Sequence, residues 1–282
     1  MKFGLMFANT GPYVEPDAAI ELAQAAEAAG VESIWTVEHV VVPKGYQSAY
    51  PYSKSGRMPG DLEDNDIPDP LIWLSFIAAA TTKIKLATGI LIVPQRNPVV
   101  TAKAVATLDR LSKGRMMLGV GSGWLEEEFE ALGVPFGDRG DRTDDYLRAY
   151  RALWSQDVPS HQGSHISFDQ TYCRPQPVGG DVPIIVGGHS KRAARRAGEL
   201  GNGFFPGRGN VQALSALFDH VRRSAEAVGR DPEAIEFTAG GPTTPEYVQS
   251  LADIGVTRMI APPMAPAQLE KFGREVVEEF SD

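Results

Sequence analysis

The chain has 282 residues, enough for one large α/β barrel domain or two smaller ones with a sizeable core. Hydrophobic residues make up 43% and the formal net charge is −9. This acidic balance argues against a nucleic-acid surface and leaves small molecules or other subunits as partners. The lone cysteine, Cys173, excludes an intrachain disulfide framework and a cysteine-rich metal site. The opening MKFGLMFANTG lacks the shape of a secretory signal, and the apolar run at 71–80 is too short to span a bilayer. The expectation is a cytoplasmic protein with no membrane partner.

Along the chain, FGLMFA at 3–8 reads as a buried strand because it is short, apolar and followed by turn residues. An alanine-rich amphipathic helix over 16–30 closes on Gly30, and SIWTV at 33–37 is a second strand. The polar stretch from Pro43 to Pro70 is long for a barrel loop, a length typical of lids and binding loops. DPLIWLSFIAAATT reads as helix, IKLATGILIV at 84–93 as a third strand interrupted by Gly89, and 98–112 as a helix opened by Pro98. RMMLGVG at 115–121 is the fourth strand, and a helical pattern returns from 124, with a further face at 147–154. An insertion over 155–181 contains HISF, half of a small hairpin. Strands at 182–188, 203–206, 235–240 and 257–261 follow, separated by helices over 190–200, 211–228 and 245–254, with a closing helix at 266–280.

Eight strands alternating with helices, and no linker rich in Gly, Ser or Pro, predict a single (β/α)8 TIM barrel with insertions, occupying 1–282 as one domain. Chemistry in that fold sits at the C-terminal strand ends, so function is sought just after 8, 37, 93, 121, 188, 206, 240 and 261. Glu38 and His39 stand after the second strand, where an imidazole is either a proton carrier or a bridge between loops. Gly89, between Thr88 and Ile90, marks a bulge or a close backbone approach. Arg96 is available to an anion or is plain surface. Gly119, Gly121 and Gly123 let backbone pass close to a ligand, but Trp124 stands where a dinucleotide fingerprint needs its third glycine. Trp124 is a pocket wall or a core residue, while Glu126, Glu127 and Glu128 suit the first turn of a helix. Gly187, Gly188 and Ser190 at a helix start offer an anion site. No zinc-protease pattern and no serine-nucleophile elbow is present, and His189 and His220 have no ligand company, so no metal is expected.

Taken in order, VEHV at 37–40, DPLIWL at 69–74, KIKLATGILIVPQRNPV at 83–99, KAVATLDRLSKGRMMLGVGSGWLEEEF at 103–129, RGDRTDDY at 139–146 and PIIVGG at 183–188 resemble the luciferase-like monooxygenase superfamily. The closer resemblance is to its compact branch of oxidoreductases that depend on coenzyme F420, a deazaflavin. The resemblance implies a bacterial-luciferase-like barrel and a ring site at Glu38 and His39. It also implies a cis peptide at Gly89–Ile90 beside Thr88, and pocket walls from Trp124 and Glu127. Gly187, Gly188, Ser190 and Gly203 would hold the phosphate, and Glu38, His39 and Trp124 would be the catalytic set. Sugar-phosphate dehydrogenases of the branch carry glutamate where Trp124 stands and a tryptophan near Val42–Lys44, so a more apolar substrate is implied. FMN-dependent monooxygenases share these motifs, so an FMN enzyme, or a flavin-binding protein without turnover, remains an alternative. The resemblance further implies a homodimer, with Val105 and Leu108 either at its seam or packed on the barrel.

Overall fold

The computed structural model describes residues 1–58, 63–262 and 264–280. Residues 59–62 of the 43–70 loop, together with 263, 281 and 282 of the expected domain, lie outside the described residues. The strands are β1 (Lys2–Leu5), β2 (Ser33–Thr36), β3 (Lys85–Thr88), β4 (Leu91–Ile92), β5 (Met116–Gly121), β6 (His161–Gln162), β7 (Ser167–Phe168), β8 (Ile184–Gly187), β9 (Gly203–Phe205), β10 (Glu236–Gly240) and β11 (Val256–Ala261). Between them run α1 (Pro16–Ala28), α2 (Pro70–Ala80), α3 (Pro98–Leu111), α4 (Glu126–Ala131), α5 (Arg139–Ser155), α6 (Lys191–Leu200), α7 (Val211–Ala227) and α8 (Pro245–Ala252), with α9 (Pro266–Phe272) after the last strand. No helix among the described residues is long and apolar enough to cross a membrane.

All the barrel pairings are parallel, and β3 and β4 are two halves of one stave. The order β3-β2-β1-β11-β10-β9-β8-β5 is closed by β3 against β5, giving eight staves. Such strands are covered on both faces, which is why β8 and the first five residues of β5 are uniformly buried. Each helix turns an apolar stripe to the barrel, as Ala19, Leu22, Ala23 and Ala26 do in α1. Val105 and Leu108 of α3 are buried in the same way, so they pack on the barrel and leave no seam. Asn97 caps α3 by accepting from the N–H groups of Val99 and Val100, with Pro98 pre-set at the first helical position.

Inside the barrel, Trp35, Ala87, Met117, Ile185 and Ile260 form one apolar layer. Below it Arg258 is fully buried, donating two 2.9 Å bonds to Glu32 and pairing with Glu236 at 3.2 Å. These groups stand at the N-terminal strand ends and plug that end. The mouth is therefore the opposite one.

Closure of β3 on β5 depends on two residues. Thr88 donates its hydroxyl to the Gly119 carbonyl at 2.7 Å, and a Cβ added to Gly119 would lie 1.8 Å from the Thr88 carbonyl oxygen. The cis bond expected at Gly89–Ile90 is absent: that bond is trans, and the cis bond among the described residues is Arg174–Pro175. The third stave is broken instead because Gly89, lacking a side chain, donates its N–H to the Thr36 carbonyl of β2 at 2.5 Å. The hairpin in the 155–181 insertion is present as β6 and β7, with His161 opposite Phe168. Asp145 of α5 anchors it by accepting from His161 Nε2 at 2.8 Å and from the His165 N–H at 2.6 Å.

Candidate active site

A cavity of about 1450 Å3 opens at the C-terminal strand ends. Glu38, His39, Gly89, Ile90, Trp124, Gly187, Gly188 and Ser190 all line it, so most of the residues singled out from the sequence meet in one place. Three do not reach its wall. Thr88 spends its hydroxyl on Gly119 within the barrel. Gly203 opens β9 at the far, N-terminal end, where a Cβ would strike Ile185, because β9 reaches the mouth only at Phe205 and beyond. Glu127 turns to the loop instead: its Oε1 accepts from the N–H groups of Gln47 at 2.6 Å and Ser48 at 3.1 Å. Burial opposes ionisation of Glu127, but the Ser48 hydroxyl and these amides prevail and hold its pKa down to about 2.

On the β2 side the carboxylates close on donors of the chain itself. Glu38 is buried, accepts from the Ile92 N–H at 2.6 Å and from Arg96 Nε at 2.8 Å, and shares Arg96 with Asp69. Burial pushes the Glu38 carboxyl up against the pull of Arg96. Arg96, which the sequence left as plain surface or an anion contact, is thus the brace of the mouth. His39 lies in the wall with Nδ1 3.0 Å from Glu128 Oε2, while Glu128 Oε1 accepts from the Val40 N–H at 2.7 Å. Trp124 stands edge-on to His39 at 5.7 Å and packs on Tyr46 and Tyr50 of the long loop.

Across the cavity the β8–α6 turn presents Gly187, Gly188, His189 and Ser190. Gly188 has φ +114, a left-handed conformation that favours glycine, and its missing Cβ leaves the start of α6 open. Ser190 caps α6, its hydroxyl accepting from the Ala193 N–H at 3.1 Å. Arg139, Arg192, Arg196 and Arg208 line the same side. Of these Arg192 and Arg196 are paired with Asp141 and Asp144, and Arg139 donates to the Gly123 carbonyl over the Phe136 ring. His189 Nδ1 is buried without a partner, and burial with Arg208 nearby lowers its pKa.

The 43–58 segment crosses from one side to the other. Tyr52 packs edge-on to His189 at 5.3 Å, and a Cβ at Gly207 would fall 2.1 Å from its ring. No group of histidine, cysteine, aspartate or glutamate suited to a metal ion occurs among the described residues.

Sequence reasoning missed Glu128, Arg208 and the tyrosines. For Glu128 a signal existed: Leu125, Glu128 and Phe129 share one helical stripe and are all buried, which turns 128 inward while 126 and 127 face away.

Residues 1–270 match the luciferase-like monooxygenase family. An uncharacterised protein of Mycobacterium tuberculosis is 35% identical over 187 residues, which are 66% of this chain and 65% of that protein, just under two thirds of the relative's length. The FMNH2-dependent dimethylsulfone monooxygenase of Pseudomonas fluorescens is 30% identical over 73% of this chain and 52% of its own. Among solved structures, the coenzyme F420-dependent tetrahydromethanopterin reductase of Methanopyrus kandleri superposes with a TM-score of 0.79 at 17% identity, covering 99% of both chains.

Proposed function

The chain belongs to the luciferase-like monooxygenase family, and we propose that it is an oxidoreductase that binds coenzyme F420 and acts on a small, rather apolar organic substrate. The observation that carries the reading is one cavity with two unlike ends, a histidine held by a carboxylate at one and an open helix start beside arginines at the other. The glycine-lined wall and the unpartnered His189 Nδ1 fit a long, flat molecule with an acidic tail. The deazaflavin, when bound, supplies a carbon that carries hydride; the protein supplies position and electrostatics.

The chain's own residues divide the remaining work. Gly89 and Ile90 form a flat backing beside His39, and Trp124, Tyr50 and Met58 keep water from it. Gly187, Gly188 and Ser190 receive a phosphate at the α6 N-terminus, where N–H groups point outward. Arg139 and Arg208 balance further acidic groups at the mouth. Glu38, locked by Arg96, is a positioning residue for the turn that bears His39. His39 Nε2 exchanges a proton with substrate. The 43–70 loop acts as the lid and Glu127 as its anchor.

The test is a parallel titration of the apoprotein with oxidised F420 and with FMN, followed by absorbance and fluorescence. Tighter F420 binding is expected. Preference for FMN overturns the reading in favour of FMNH2-dependent monooxygenation, the activity named for the Pseudomonas relative. A homodimer goes with this reading, and the exposed Ile72 and Phe76 of α2 and Val100 of α3 offer its seam; light scattering returning a monomer mass would reject it.

A further inference from the structure

We propose that Glu128 holds His39 in the Nδ1–H tautomer, so that the neutral ring presents an unprotonated Nε2 to the cavity and takes a hydroxyl-bearing substrate rather than a bare carbonyl. Only the kinetic consequence rests on the F420 reading. The tautomer follows from the chain itself.

The Glu128 side chain is 2% exposed, and both of its oxygens are engaged. Oε1 accepts from the backbone N–H of Val40 at 2.7 Å and of Val41 at 3.3 Å. Backbone amides only donate, which fixes that oxygen as an acceptor. Oε2 lies 3.0 Å from His39 Nδ1. At mildly alkaline pH a carboxyl is ordinarily ionised, and hydrogen bonds from His39 and the Val40 amide favour that form of Glu128 against its burial, so Oε2 accepts. The proton between them therefore sits on Nδ1. The Trp124 ring, perpendicular to the imidazole, fixes its plane. Nε2 makes no hydrogen bond within the described residues, and His39 lines the cavity.

A neutral imidazole so held accepts a hydrogen bond and a proton at Nε2. An alcohol hydroxyl meets that demand directly. A carbonyl oxygen meets it only after the ring takes up a second proton, whose charge the Glu128 carboxylate then balances. Glu128 thus acts through His39, as a positioning residue that selects which partner the ring greets.

The replacement Glu128→Gln separates these roles because it keeps the shape. The Val40 and Val41 amides still require an oxygen, which places the new NH2 opposite His39 Nδ1, where it donates. The ring must then move its proton to Nε2. Long-range nitrogen–proton correlation spectra of the apoprotein at mildly alkaline pH read the tautomer, and His39→Ala identifies the His39 signals among those of five histidines. The expected result is Nδ1–H in the native protein and Nε2–H in the folded Glu128→Gln variant. Nε2–H in the native protein, or an unchanged ring in the variant, overturns the proposal; the native spectrum alone decides it if the variant does not fold. With F420 and a secondary alcohol, kcat in the variant should fall about tenfold or more while F420 affinity is kept. A native protein that shows Nδ1–H but binds no F420 upholds the tautomer and removes the functional reading.

Discussion

The two sides of the mouth are built on opposite terms. On the β2 side Glu38, Glu127 and Glu128 each close on donors from the chain itself: Ile92 and Arg96, Gln47 and Ser48, His39 and Val40. On the β8 side a buried imidazole nitrogen lacks a partner, and a glycine with positive φ exposes the start of a helix. The first side is preorganised, its three carboxylates anchored by donors of the chain and only His39 Nε2 turned free to the cavity; the second leaves more demands for a ligand to meet. A group that handles protons profits from a fixed geometry, whereas an anion site profits from donors that are not already spent.

The largest effect is expected where both sides depend on the same barrel. Gly119→Ala drives a Cβ into the Thr88 carbonyl, and because the obstacle is backbone, a loss of about 3 kcal/mol or more in unfolding free energy is expected by denaturant titration. His39→Ala should lower kcat by about 10²–10⁴ with little change in cofactor affinity; equal losses in both would demote the ring to a binding contact. Gly188→Val should do the reverse, since it strains a left-handed position and brings a side chain against Ala193. Its expected signature is a cofactor dissociation constant raised about tenfold, or roughly 1.4 kcal/mol, alongside a modest fall in thermal stability from the backbone strain, with kcat at saturating cofactor kept. If the two variants fail in the same measurement, the division of labour between the sides is wrong.

The smallest effect is a pH dependence of the loop. Glu127 is held down to about 2 from an ordinary 4.5. A depressed carboxylate contributes fully above its ordinary value, and the contribution is lost as pH falls toward the folded one. Amide exchange at Gln47 and Ser48 should therefore lose protection between about pH 4.5 and 2, and the Glu127→Gln variant should show that loss already at neutral pH. Protection that is flat across the window would detach the loop from Glu127.

The staves were legible because parallel strands covered on both faces are short apolar runs bounded by turn residues, as IIVGG shows. The broken third stave was legible from Gly89 alone. What the sequence hid was direction. Nothing in LEEEF states outright that the third glutamate faces the histidine, although its neighbours Leu125 and Phe129 lean that way. The helix α5 begins at Arg139, well before the apolar face at 147, because polar residues secure its first turns: Thr143 donates to Ser122 at 3.0 Å, and Asp145 takes the insertion. Arg96 gave no sign of its two carboxylates, since Glu38 lies 58 residues away and Asp69 lies 27. The cis bond was an inference from resemblance, and a trans glycine reaches Thr36 without it.

Gly119, Gly121 and Gly123 look like one motif and answer to three masters. Gly119 yields to a neighbouring strand, Gly121 to the Ile90 side chain, and Gly123, with φ +83, to a turn over Phe129. Each of the three is held to glycine by the protein's own atoms. A stretch of this spacing is consequently demanded by the packing of the barrel end itself, strand on strand, strand on side chain and turn on ring.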